Sequence, residues 1–168
     1  MNSRHVDEGW RLQLGKALRF EGTVDLVGVG NPIRGDDAVG LEVVSRLRSA
    51  HGSSPRGIKI HPAEQMPERL LSKLASTSDR VIVFDAVEAS LPPGAIVCRS
   101  LGDAKHGFFA THNVPLKLIP GLGPRLADFY VVGVQPESLE VTEGISDAAA
   151  EAVDGIADFF AEWLEEGR

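Results

Sequence analysis

The stretch Leu26–Gly40, LVGVGNPIRGDDAVG, decides how the rest of the chain is read. Its apolar run of Leu26, Val27 and Val29 is interrupted by Gly28 and ends in Gly30 and Asn31. A buried strand enters a tight turn in this way, because Gly and Asn accept backbone angles that other residues resist. Pro32 cannot donate to a sheet ladder, so the strand stops before it. After Gly35, Asp36 and Asp37, the residues Val39, Val43, Val44 and Leu47 recur at helical spacing. Asp36 is placed to cap that helix and Asp37 to sit in its first turn. Two carboxylates therefore lie just past the C-terminal end of a strand, where open α/β sheets hold their sites.

The same loop excludes the common nucleotide sites. A dinucleotide fingerprint needs Gly-x-Gly-x-x-Gly, but Ile33 occupies the third glycine position. Gly30 and Gly35 have P-loop spacing, but Asp36-Asp37 replace the Lys-Ser/Thr pair. Two negative charges repel a phosphate and favour a cation or a developing positive charge.

Composition bounds the rest. The chain has 168 residues, 43% hydrophobic and 24% charged, which fits a single domain over residues 1–168. A net charge of -7 and a pI near 5.2 argue against a general nucleic-acid binder. Cys98 is the lone cysteine, so no internal disulfide or cysteine metal cage is available, which fits a reducing compartment. No apolar run approaches the ~20 residues of a membrane span. The N-terminal stretch mixes charges throughout and lacks the apolar core of a secretion signal. We expect a cytoplasmic protein with no membrane association.

Outward from the central motif, helices and strands alternate. A helix is expected over His5–Phe20, an N-terminal extension within residues 1–22 carrying Val6, Trp10, Leu14 and Leu18 on one face. Strands are expected at Thr23–Gly30, Ile58–His61, Arg80–Asp85, Ala95–Arg99 and Asp128–Val134. Helices are expected at Asp36–Ala50, Pro67–Ala75, His112–Ile119 and Ser146–Glu165, with Leu101–Thr111 a loop and Pro120–Pro124 a breaker. This alternation implies an α/β fold. It would be a mostly parallel, twisted sheet of about five strands with helices on both faces.

Arg80–Asp85, RVIVFD, ends in an acidic turn as LVGVG does. In a parallel sheet both ends lie on one edge, which brings Asp37 and Asp85 towards each other. His112 stands at a loop-to-helix junction. Two carboxylates and an imidazole with open positions can bind a divalent first-row metal, and these donors do not choose among Ni, Zn, Mn and Co. Each also has a plain structural role: Asp37 charging a helix start, Asp85 capping a turn, His112 packing. His5, His51, His61 and His106 read as incidental, and Glu64 and Glu68 as a solvated helix start. Cys98 reads as buried filler, and no Gly-x-Ser-x-Gly elbow marks a serine nucleophile.

At these residues the chain resembles the [NiFe]-hydrogenase maturation endopeptidases. Four segments in order carry the resemblance, from about Thr23 to Leu164: Gly28-Val29-Gly30-Asn31 with Gly35-Asp36-Asp37; Phe84-Asp85-Ala86 with Pro93-Gly94; Thr111-His112-Asn113-Val114-Pro115-Leu116; and Gly133-Val134-Gln135-Pro136-Glu137. The third is most similar to the branch that matures formate-linked and related membrane-bound hydrogenases. One departure is Pro62-Ala63-Glu64, where members often carry an Asp-Gly-Gly-like segment.

The resemblance implies removal of a C-terminal extension from the hydrogenase large-subunit precursor after nickel insertion. It maps the metal-contacting, catalytic residues onto Asp37, Asp85 and His112. Nickel would arrive in the substrate, with no permanent cofactor, and a monomer is the simplest state. Two alternatives stay open: a metallohydrolase of this architecture with a resident metal, and a non-catalytic chaperone that holds the precursor.

Overall fold

The apolar run of the central motif forms strand β1 (Val24–Val29), buried along its whole length. It belongs to a computed structural model that describes residues 4–52, 55–63, 67–103, 125 and 128–166. Around β1 run α1 (Arg4–Leu18), α2 (Val39–His51), β2 (Lys59–Ala63), α3 (Pro67–Thr77), β3 (Arg80–Ala86), β4 (Ile96–Ser100), β5 (Phe129–Val134) and α4 (Asp147–Glu166). The sheet order is β2-β1-β3-β5-β4. β1 pairs in parallel with β2 and β3, β3 pairs in parallel with β5, and β4 alone runs antiparallel, against β5. This is the α/β architecture expected from the alternation.

Side chains alternate across each strand, so each face has its own core. Val24, Leu26, Ile82, Phe84, Val132 and Val134 pack with α1, α2 and α4. Val27, Val29, Val81, Val83, Phe129 and Val131 pack with Leu71, Leu74 and Ala75 of α3. A strand buried on both faces is apolar at nearly every position, which is why the run VIVF, Val81–Phe84, is legible as a strand.

The N-terminal helix is part of the core. Trp10, Leu14 and Leu18 are buried as their spacing predicts. α1 packs across β4 and β5, and Trp10 meets Phe159 of α4 edge-on at 5.5 Å between ring centres.

The helix expected from Asp36 begins differently. Gly35–Ala38 form a 3-10 turn, and α2 starts at Val39. Gly35 takes a positive φ of 51°. The amides of Gly35 and Asp36 donate to the carbonyls of Thr142 and Ser138, at 3.3 and 3.1 Å, outside the helix ladder. The expected helix His112–Ile119, the breaker Pro120–Pro124, and both His112 and Glu64 lie outside the described residues.

Candidate active site at the C-terminal edge of the sheet

Three glycines bring the turn with the two aspartates onto the sheet. A Cβ on Gly28 would stand 2.2 Å from the Gly40 carbonyl oxygen, and one on Gly40 would stand 2.1 Å from that of Phe84 and 2.3 Å from that of Val29. Real Cβ atoms do not approach so closely, so α2 lies nearly in backbone contact with the ends of β1 and β3. A Cβ on Gly30 would stand 2.0 Å from the Asp37 carbonyl oxygen, which accepts the Asn31 amide at 3.2 Å. The motif's glycines thus serve close approach of backbone to backbone.

Asp37 is wholly buried in this turn, at 0% exposure, and Asp85 on β3 is buried at 1%. The turn packs against β3, and Phe84, whose carbonyl touches Gly40, immediately precedes Asp85. Both carboxylates therefore lie at the C-terminal edge of the two central strands. Asp85 Oδ1 accepts the Ala86 amide at 2.8 Å. Beside Asp85 in register stands Gly133 of β5. A Cβ there would meet Val87 at 2.5 Å, so the missing side chain leaves room for Val87 to close over the strand end.

Asp36 does not cap the helix as expected; neither the 3-10 turn nor α2 has a side-chain cap. Its carboxylate instead accepts the amides of Glu137 and Ser146, each at 2.7 Å, and the Ser146 hydroxyl at 2.9 Å. Asp36 thereby joins the β1–α2 turn to the β5–α4 loop. The Ser146 hydroxyl oxygen also accepts the Ala149 amide at 3.2 Å, capping α4. The two adjacent aspartates thus differ: Asp36 holds two loops together, and Asp37 is wholly buried in the turn that packs against β3.

Gln135, from the last of the four segments, is a buried clip. Its Oε1 accepts the amides of Ala89 and Leu91 at 2.8 and 3.3 Å, and its Nε2 donates to Glu88 Oε1 at 2.9 Å. Its backbone pairs with Gly94 and Ala95. Gln135 thus holds the loop that follows Asp85. Sequence reading placed Gln135 in a motif without seeing this role, since a glutamine's partners are set only by the fold.

The other candidates divide. Glu68 is exposed in the first turn of α3, as expected. Cys98 is buried, which pushes its thiol up to about 12 against the weaker opposing pull of Arg99. His61 has a structural partner: its Nε2 lies 2.5 Å from Oδ1 of the buried Asp25. Asp25 lies towards the N-terminal end of the sheet, in register with Val81 of β3. Asp85 is four residues further on, ~13 Å at strand rise. Among the described residues no group of three or more His, Cys, Asp or Glu side chains is placed to hold a metal ion. His112 is not among those residues.

The sequence profile of the hydrogenase maturation proteases, HycI type, matches residues 41–163. The chain belongs to this family. A Methanocaldococcus jannaschii protein named for hydrogenase maturation protease activity is 31% identical over 137 residues, covering 77% of this chain and 88% of its own length. The hydrogenase expression/formation protein HoxM of Cupriavidus necator is 25% identical over 150 residues, covering 82% of this chain and 73% of its own length. The crystal structure of the [NiFe] hydrogenase maturation protease HycI from Thermococcus kodakarensis superposes with a TM-score of 0.74 at 26% identity, over 90% of this chain and 98% of that one. The protein is accordingly a maturation protease, a hydrolase, and its sheet of five strands is the fold of such structures. Among its described residues no helix is long and apolar enough to cross a membrane.

Proposed function

We propose that this protease removes the C-terminal extension of a [NiFe]-hydrogenase large-subunit precursor, and that nickel already held by the precursor anchors the substrate at Asp37 and Asp85. One observation carries the reading: in a chain of this family, two aspartates are buried at the C-terminal edge of neighbouring central strands. Carboxylate oxygens suit a divalent ion whose remaining ligands come with another protein, and His112 would add an imidazole nitrogen. A precursor without nickel offers no such anchor, so cleavage reports that the metal is in place.

In the cleavage step water attacks the scissile carbonyl. Its oxygen bonds to the carbonyl carbon, and a carboxylate at this edge accepts its proton. The C–N bond then breaks, and that proton passes to the leaving amine. The single cysteine and the absence of a disulfide support a cytoplasmic reaction, and a monomer is the simplest working unit.

The test incubates the protein with nickel-loaded and nickel-free precursor and weighs the products. Cleavage of the loaded form alone, lost in Asp37→Asn and Asp85→Asn variants that still fold, is the expected result. Equal cleavage of both precursors would remove nickel from recognition, and full activity in both variants would remove the carboxylates. A stoichiometric, tightly held ion in the purified protein would favour a resident-metal hydrolase.

A further inference from the structure

A groove of about 570 Å³ runs along α2 beside the end of the edge strand β2. Its lining adjoins the candidate site in the chain: Ala38 follows Asp37 directly, and Pro32 follows Asn31, whose amide donates to the Asp37 carbonyl. Leu41 and Pro62 give it apolar surface, while Glu42 and Arg48 give it charge. Both charged residues are exposed, and among the described residues neither is in an ion pair. By contrast Arg46, on the same helix, is paired with Asp154 of α4, and Arg11 with Glu162. Among the described residues, then, the two groove charges have no charged partner.

The volume lies in the range of sites for small ligands, enough for a short extended segment and too little for a folded body. The spacing of the charges sets a register. At ~1.5 Å of rise per helical residue, Glu42 lies roughly 8 Å and Arg48 roughly 16 Å beyond Asp37. An extended peptide covers those spans in about two and about five residues.

We propose that this groove binds the extended segment of the precursor that follows the scissile bond, Glu42 facing a basic residue about two positions beyond it and Arg48 an acidic one about five positions beyond. Residues before the bond belong to the body that presents nickel, so only the extension is free to lie along α2. The inference rests on the proteolytic reading above and adds a determinant of which extensions are accepted.

Two measurements test it separately from that reading. Binding of a synthetic peptide spanning the extension to the Asp37→Asn protein reads the groove without cleavage. Arg48→Glu and Glu42→Lys should each weaken it about fivefold, the scale of an exposed ion pair reversed. With nickel-loaded precursor, the same substitutions in the otherwise unaltered enzyme should raise KM by a similar factor and leave kcat and Tm unchanged. Exchanging the acidic residue of the extension for Lys should restore binding to Arg48→Glu. Unchanged peptide binding in both charge reversals overturns the groove assignment. Intact peptide binding with no cleavage by the unaltered enzyme overturns the proteolytic reading and leaves the groove standing.

Discussion

The carboxylate of Asp36 accepts both the backbone amide and the hydroxyl of Ser146, at 2.7 and 2.9 Å, across 110 residues of chain. This contact fixes the loop before α4 against the turn that carries Asp37. Hydrogen bonds to a buried charged acceptor are each worth roughly 1.5–3 kcal/mol, and their loss leaves amide donors without an acceptor. Asp36→Ala should therefore lower stability by about 2–4 kcal/mol in urea unfolding. Ser146→Ala, which also removes the α4 cap, should cost roughly 1–2 kcal/mol. Unchanged midpoints would show that the two loops are held by other contacts.

Two helical glycines should respond to alanine with opposite signs. Gly155 of α4 has open space where a Cβ would go. Gly155→Ala should gain up to about 1 kcal/mol from helix propensity. Gly40→Ala, with backbone oxygens at 2.1 and 2.3 Å, should lose several times that, because α2 must move off the sheet. It should also impair cleavage, since the same displacement moves the Asp37 turn. Thermal unfolding of the pair reads both signs in one experiment.

Removing the Gln135 side chain should loosen the loop after Asp85. Gln135→Ala deprives the Ala89 and Leu91 amides of their acceptor and should cost about 1–3 kcal/mol. Hydrogen exchange should rise at those two amides while the amides of α3 stay protected. Unaltered exchange would place the loop's order elsewhere.

Thr23 sets the acidity of Asp79. The Thr23 amide and then its hydroxyl, both donating to the Asp79 carboxylate at 2.9 Å, hold that group below its ordinary 3.8, with a smaller pull from Arg125. A depressed carboxyl contributes stability that is present above its unfolded value and fades as pH falls through the folded one. The contribution is thus complete near neutral pH, begins to fall near about pH 4 and is lost only as pH drops through the lower, folded value. Thr23→Ala should raise the Asp79 midpoint, read by carboxyl carbon NMR, and flatten this part of the acid limb.

Cys98 should be inert in the native protein. With its thiol pushed up to about 12 and only 4% of the residue exposed, an aromatic disulfide reagent at pH 8 should label it only after denaturant is added. Fast native labelling would mean that β4 opens readily.

Part of this arrangement was legible in the chain itself. The strands at LVGVG and RVIVFD and the helical face of Trp10-Leu14-Leu18 follow from local periodicity, which needs no knowledge of distant residues. The placing of Asp37 and Asp85 on one edge followed as well, because parallel strands joined by helical crossovers end on the same side of the sheet. The division of labour between Asp36 and Asp37 did not follow. A capping aspartate and an aspartate bonded across 110 residues look alike in sequence, and only the meeting of two loops tells them apart. The pairing of His61 with Asp25 and the clip made by Gln135 are of the same kind. The sequence by itself determined the order of elements and their apolar faces, since these depend on neighbours within a few turns. The tertiary structure alone decided which polar groups meet, because a hydrogen bond depends on distance in space and not on spacing along the chain.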